Sequence, residues 1–172
     1  GFFLLNQMFF ARCYTKKMSG YFKSTPENPY HLSVGAVVVR GDQKILCHHY
    51  KKFDGEEYDV YLLMKETIHP GETIEETLHR GLMEEFGAKG KIHKYLGPLV
   101  SELPRKEVLT QKTTLYFLVE FLERDEAFRS DEDKQNSSVE WQTAEFLKEK
   151  MKEQTKHFAR TTLDESEILK RR

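Results

Sequence analysis

Apolar and polar stretches alternate along the chain in a way that predicts short β-strands around one amphipathic helix. Runs rich in β-branched and aromatic residues predict the strands, which we place at 33–40, 44–50, 58–65, 91–103, 113–123 and 139–141. Turn-forming residues separate these runs, including the GDQ sequence at 41–43 and Pro70 with Gly71. We expect further helices at 143–151 and over about the last 15 residues.

The segment 74–86 carries the signals of an amphipathic helix. Its apolar stripe, which should face the core, recurs every four residues and consists of Ile74, Leu78, Leu82 and Phe86. Thr73 precedes the helix as an N-cap, and Glu76 stands three positions later, so the two predict a capping box. Gly87 follows the last apolar position and suits a left-handed C-terminal cap.

Strands on both sides of one helix, followed by closing helices, predict an α/β fold, a three-layer α/β/α sandwich with a mixed sheet. The length of 172 residues fits one domain, which we assign to 29–172. Residues 1–28 are interpreted as an N-terminal appendage. Their apolar stretch has neither a preceding positive charge nor a clear cleavage site, which argues against a signal peptide. A mitochondrial presequence is the alternative, suggested by Arg12, Lys16 and Lys17.

Charge and cysteine content narrow the class of protein. Lys and Arg number 27 against 28 Asp and Glu, and this near-neutral balance gives no support for a nucleic-acid or membrane-surface binder. No apolar run approaches the roughly 20 residues that a bilayer span needs. The two cysteines, Cys13 and Cys47, are interpreted as free thiols in a reducing compartment. We therefore expect a cytoplasmic monomer or homodimer.

The helix at 74–86 also carries candidate chemistry. Glu84 and Glu85 flank Gly81 on the helical wheel, beside Arg80. Paired carboxylates are hard oxygen ligands that suit Mg²⁺ or Mn²⁺, and a metal held there can activate water against a phosphoryl group. The alternative is a solvated helix face, since Arg80 has the i,i+4 spacing for ion pairs with Glu76 and Glu84.

The order of these residues resembles the Nudix box, G-x5-E-x7-R-E-U-x-E-E-x-G-U, where U is a bulky aliphatic residue. The positions that match the pattern are Glu72, Arg80, Leu82, Glu84, Glu85 and Gly87. The context of strand, loop and helix is also the one that Nudix domains use. The resemblance covers residues 30–155, beyond the box mainly through the order of the elements.

The resemblance implies a MutT-like hydrolase that cleaves a diphosphate bond in a nucleoside diphosphate derivative with Mg²⁺ or Mn²⁺. Glu84 and Glu85 then correspond to metal ligands, and Arg80 to the arginine that orients them. Glu72 is similar to a supporting carboxylate outside the metal shell. Lys65 matches a lysine that faces substrate phosphates in some members.

Two positions depart from the Nudix pattern. Glu66 stands where the pattern has glycine, and Gly81 where it has the glutamate that follows the arginine. In the family, that glutamate commonly joins the metal site and that glycine offers its carbonyl. Three interpretations remain open: Glu66 supplies the missing ligand, fewer metals bind, or the domain is a catalytically impaired binder of a nucleotide or protein. Glu66 as an ordinary exposed loop residue is the simplest alternative.

Residues outside the box offer weaker candidates. The general base is expected among later carboxylates, of which Glu140, Glu132 and Glu102 are candidates. His48 and His49 should point to opposite faces of their strand. Diphosphate isomerisation is a third function class, but the chain lacks a cysteine-and-glutamate motif that would favour it.

Overall fold

A mixed sheet of seven strands forms the centre of the computed structural model, which describes residues 22–53, 57–105, 108–158 and 161–172. The strands are β1 (Tyr30–Val39), β2 (Ile45–Tyr50), β3 (Val60–Leu62), β4 (Met64–Thr67), β5 (Ala88–Arg105), β6 (Val108–Arg124) and β7 (Ser138–Gln142). Their order is β3-β2-β1-β6-β5, while β4 pairs with β1 and β7 with β2. The β1–β6 pair is parallel, and the other pairs are antiparallel.

Helices cover both faces of this sheet. The described ranges contain α1 (Ile74–Phe86), a 3₁₀ turn (Glu126–Phe128), α2 (Asp131–Asn136), α3 (Ala144–Gln154) and α4 (Ser166–Leu169). One hydrophobic cluster joins α1 to the sheet, and a second cluster joins α3 and α4 to its other face. This arrangement confirms the predicted α/β/α sandwich. None of the described helices has the length and apolar character that a membrane crossing requires.

The ends of α1 lie where the local signals place them. Thr73 and Glu76 form both hydrogen bonds of the capping box, and Gly87 adopts a left-handed φ of 62°. The apolar stripe is completely buried at Leu78, Leu82 and Phe86. Ile74 is an exception at 41% exposed, because the helix is buried only from its second turn onward.

Three segments differ from the pattern-based prediction. The expected strand at 58–65 is split into β3 and β4, because the Leu63 backbone N–H donates to Glu165 Oε2 at 2.8 Å rather than to a neighbouring strand. The expected loop at 124–138 contains the 3₁₀ turn and α2, and the described residues 161–172 contain a single short helix, α4. Most of the predicted appendage, residues 1–21, lies outside the described residues.

Candidate functional site

Arg80 holds together the acidic side chains at the start of the site. Its guanidinium donates to both oxygens of Glu72, with N···O distances of 2.7 and 2.9 Å. The remaining nitrogen, Nη1, lies 3.2 Å from Glu66 Oε1 and 3.3 Å from Glu84 Oε2. The hydrogen-bonded Arg80 guanidinium lowers the pKa of Glu72 to about 2. Arg80 therefore orders three carboxylates around one cation.

Glu66 and Gly81 lie against each other. A Cβ atom added to Gly81 would stand 2.6 Å from Glu66 Cβ and 2.9 Å from Met64 Sδ, closer than real Cβ atoms approach. Glu66 is therefore not an exposed loop residue: it belongs to β4, and its side chain is 17% exposed. The side chain of Glu66 fills the space beside the helix that a side chain at position 81 would need.

Glu85 is held by a ring of buried polar contacts. Its Oε2 lies 2.8 Å from His48 Nε2, and the other imidazole nitrogen, Nδ1, lies 2.8 Å from Ser137 Oγ. Arg129 donates to Ser137 Oγ and also to the Glu85 main-chain carbonyl, which closes the ring. Burial lowers the pKa of His48 to about 3, so the imidazole is neutral and its contact with Glu85 is a hydrogen bond rather than an ion pair.

The C-terminal end of α1, which carries the adjacent glutamates, is capped by donors from the end of β6 and the segment that follows it. The Ser130 N–H donates to the Glu84 carbonyl, and Arg124 Nε donates to the Phe86 carbonyl at 2.9 Å. Arg129 caps the Glu85 carbonyl at 2.7 Å. These donors satisfy carbonyls that a helix end leaves unpaired, and they fix the direction in which the glutamates leave the helix.

The sequence of this region matches a known domain. A sequence model of the NUDIX domain matches residues 29–162, which is well over half of the chain. The chain belongs to the Nudix family. A search of curated proteins gives no significant match.

Solved structures of Nudix proteins share the fold at low sequence identity. A NUDIX hydrolase from Nitrosomonas europaea is 17% identical, with a TM-score of 0.55 over 70% of this chain and 77% of its own. The E. coli ORF135 protein gives 17% and 0.54 over 74% and 83%. The MutT protein from Methanosarcina mazei Go1 gives 15% and 0.51 over 86% and 95%. At these identities, the similarities establish the fold alone.

The structure brings most of the predicted Nudix-box residues together. Arg80 contacts Glu72, Glu66 and Glu84, whereas Glu85 lies deeper, beside His48. Glu84 is half exposed, and the Glu85 side chain is only 14% exposed. The two adjacent glutamates therefore occupy different environments, which the helical wheel alone did not predict.

Lys65 is paired inside the protein, and its role toward substrate phosphates stays a prediction. Its Nζ donates to Glu165 Oε1 at 2.7 Å and to the Leu63 carbonyl at 2.9 Å. Glu165 is 1% exposed and also accepts hydrogen bonds from Leu63 N–H and from the Tyr116 hydroxyl. No local pattern marks this carboxylate, which lies 100 residues further along the chain.

The other sequence candidates are spread around the fold. Glu140 lies 2.6 Å from His49 Nδ1, on the sheet face opposite His48, which confirms that the two histidines point apart. Glu132 is exposed on α2, and the Glu102 backbone pairs with Thr162. The general base stays a prediction for all three.

The carboxylates fit a hard divalent cation. Glu85 is largely buried, and burial raises its pKa to about 8, an environment that a cation beside it would relieve. The Glu85 charge also raises the pKa of Glu66, after burial, so these two carboxylates are neighbours. Among the described residues, no three acidic, histidine or cysteine side chains form a ready-made metal cluster. Mg²⁺ does not require one, since it binds through one or two carboxylates together with substrate phosphates.

Glu85→Gln is expected to stabilise the metal-free protein at pH 9 and to change its stability little at pH 5. The Glu85 pKa rises from 4.5 to about 8 on folding. Between these values the unfolded state has released the proton that the folded state keeps, so wild-type stability falls as pH rises. Each pKa unit corresponds to about 1.4 kcal/mol, so the gain is a few kcal/mol. Urea unfolding at both pH values measures it.

The matched control for this pH effect is Glu75→Gln, on the exposed first turn of the same helix. Glu75 is 74% exposed and should show no such difference. Equal effects of Glu85→Gln at the two pH values would contradict the expected burial of this carboxyl group.

Proposed function

We propose that this Nudix protein is a hydrolase that cleaves the diphosphate bond of a soluble nucleotide derivative in the cytoplasm, with Mg²⁺ or Mn²⁺. The paired glutamates and the arginine of the box support the proposal. Glu84 and Glu85 leave the same end of α1, and carboxylate oxygens are ligands that suit a divalent cation bound together with a phosphate.

The observation that carries this proposal is an exchange relative to the Nudix pattern: glutamate stands at 66, where the pattern has glycine, and glycine stands at 81, where it has glutamate. Each position departs from the Nudix pattern, but the two are in contact, with Glu66 Cβ 2.6 Å from the ideal Cβ position of Gly81. Glu66 also remains within 3.2 Å of Arg80, the residue before Gly81. We infer that Glu66 on β4 takes the place of the carboxylate missing from the helix, which would keep the site acidic.

Glu66, Glu84 and Glu85 would hold the metal, which supplies a Lewis acid for the phosphoryl group and lowers the pKa of water. Arg80 offsets the repulsion between Glu66 and Glu84, since its Nη1 faces both. Glu72 fixes the plane of the guanidinium through two parallel hydrogen bonds. His48 orients the inner oxygen of Glu85.

The decisive experiment measures hydrolysis of a panel of nucleoside diphosphate derivatives with Mg²⁺ and with Mn²⁺. We expect metal-dependent turnover in the wild type, and a loss of at least about 100-fold in Glu85→Gln, comparable to removal of an electrostatic group at a reacting phosphate. Glu75→Gln, which removes an exposed carboxylate from the same helix, should keep full activity.

A catalytically impaired Nudix domain is the second candidate, favoured by the two departures from the box. It predicts saturable nucleotide binding without turnover of any member of the panel. Glu66→Gly separates the two functions further, because a role as replacement ligand requires that this variant weaken Mn²⁺ binding measured by calorimetry. Unchanged Mn²⁺ affinity in Glu66→Gly would remove Glu66 from the metal site.

A further inference from the structure

The sheet face opposite α1 is polar at the end next to the glutamates. The parallel register of β1 and β6 places His31 beside Lys112, and Ser33 beside Thr114. Side chains of directly paired residues point to the same face, and β5 adds Ser101 opposite Lys112. Further along the same face, the residues are apolar and pack against α3 and α4. A group of hydrogen-bonding side chains therefore stands where the core could have continued.

Several of these polar groups lack a partner within the described part of the chain. Ser33 Oγ and His31 Nδ1 are buried and accept or donate no hydrogen bond there. Ser33 is completely buried and His31 is 5% exposed. Lys112 is only partly buried, and its ammonium has no ion pair or side-chain hydrogen bond to another described residue. Buried polar groups are normally paired, because an unpaired one costs roughly 1–3 kcal/mol.

The electrostatic surroundings of this group are positive. Lys112, Arg105 and Lys23 all act to lower the pKa of His31, which burial and these charges bring to about 4. Burial and the nearby Lys65 lower the pKa of Lys112 to about 8. His31 is therefore neutral at physiological pH, while Lys112 remains a cation whose charge is felt at Glu85. A cationic lysine beside neutral hydrogen-bonding groups suits an anionic ligand.

Lys65 is less available for that purpose than Lys112. The ammonium of Lys65 is neutralised by Glu165 at 2.7 Å and satisfied further by the Leu63 carbonyl. No described carboxylate lies within ion-pair distance of Lys112, although the charges of Lys65 and Glu85 both act on its pKa. The family position of the phosphate lysine is thus occupied by an internal ion pair, and a second lysine stands beside it.

His31 Nε2 lies 3.1 Å from Thr67 Oγ1, which leaves Nδ1 as the free nitrogen of the ring among the described residues. We propose that Lys112, together with the unpartnered Ser33 Oγ and His31 Nδ1, binds a phosphate group of the substrate on the sheet side of Glu85. This inference rests on the proposed diphosphate hydrolase and names the residues that face its substrate. Lys112 supplies the charge, and Ser33 and the neutral imidazole supply hydrogen bonds to phosphate oxygens. The metal would meet the diphosphate from the carboxylate side and Lys112 from the sheet side.

Calorimetry with inorganic pyrophosphate in the presence of EDTA tests the site without metal or turnover. We expect saturable binding to the wild-type full chain, weakened about tenfold or more in Lys112→Met and weakened less in Lys112→Arg. Lys94→Met removes an exposed lysine from β5 and should bind like the wild type. Ser33→Ala should give a smaller loss. In the hydrolysis assay, Lys112→Met should raise KM more than it lowers kcat.

Equal pyrophosphate affinity of Lys112→Met and Lys94→Met, or no saturable binding to the wild type, would overturn the phosphate site. These outcomes are separate from a failure of the hydrolase, which would appear as absent metal-dependent turnover with pyrophosphate binding intact. Circular dichroism of each variant distinguishes a lost site from a misfolded chain, and the Lys112→Arg variant provides a folded comparison with the charge kept.

Discussion

Gly81→Glu alone is expected to destabilise the protein by roughly 2–3 kcal/mol, the scale of overpacking in a filled core. Restoring the residue that the Nudix pattern has at this position should therefore harm the protein. The reason is steric, since even the Cβ atom would stand 2.6 Å from Glu66 Cβ. A second carboxylate would also be forced against the first one. Urea unfolding at pH 7 measures the change in the free energy of unfolding.

The double variant Glu66→Gly/Gly81→Glu should recover much of that loss, because it restores the Nudix arrangement at both contacting positions. A cleaner pair uses alanine. Gly81→Ala should destabilise the wild type but stabilise the Glu66→Gly background by about 1 kcal/mol, the helix preference of alanine over glycine. Met64 Sδ, at 2.9 Å, can shift because the side chain is flexible.

If the changes in the free energy of unfolding at positions 66 and 81 were additive, the two residues would not be coupled as the exchange requires. Contacting residues normally show a coupling of at least about 0.5 kcal/mol. If Gly81→Ala changes the free energy of unfolding in the same direction in both backgrounds, the contact with Glu66 is not the reason for glycine at position 81. Hydrolysis by the Glu66→Gly/Gly81→Glu variant then shows whether a helix carboxylate serves the metal as well as the strand carboxylate does.

Glu165→Leu is expected to lower the free energy of unfolding by about 3–5 kcal/mol, as when one partner of a buried ion pair is removed. Glu165 neutralises Lys65 and accepts hydrogen bonds from Leu63 N–H and the Tyr116 hydroxyl. All three donors would lose their acceptor. For a chain of this size the loss corresponds to a fall of about 10 °C in Tm.

The neighbouring acid provides the control for this thermal-unfolding experiment. Glu167 is exposed and forms a surface ion pair with Lys170, so Glu167→Leu should shift Tm by little. Adding Lys65→Met to Glu165→Leu should recover stability, because no unpaired ammonium remains. A Glu165→Leu protein that melts like the wild type would show that Lys65 does not depend on this contact.

Local signals predicted α1 well because each of its ends is determined within a few residues. Thr73, Glu76 and Gly87 act on the backbone beside them, so no tertiary information was needed. The break in the strand at Leu63 depends on Glu165, far away in sequence. Ile74 follows the periodicity of the stripe but is exposed, because periodicity does not tell how far the sheet extends under the helix.

The Nudix-box residues of the candidate site could be predicted from the sequence, but the residues that contact and support them could not. Spacing alone marked Arg80 and the adjacent glutamates, since these residues lie on one helix. Contacts made by His48, Arg129 and Lys112 depend on how strands and loops pack against that helix, and no local pattern records such packing. The same limit applies to the contact of Glu66 with Gly81, which joins two elements.

The Glu66–Gly81 contact has a consequence for how such sequences diverge. Neither replacement is harmless by itself. Glutamate at 66 without glycine at 81 makes two glutamate side chains collide, and glycine at 81 without glutamate at 66 leaves the site without that carboxylate. Descendants should therefore change the two positions in concert, and glutamate at the first should co-occur with glycine at the second across a lineage. Profiles that score each column independently would undervalue such chains, whereas a paired score would retrieve them.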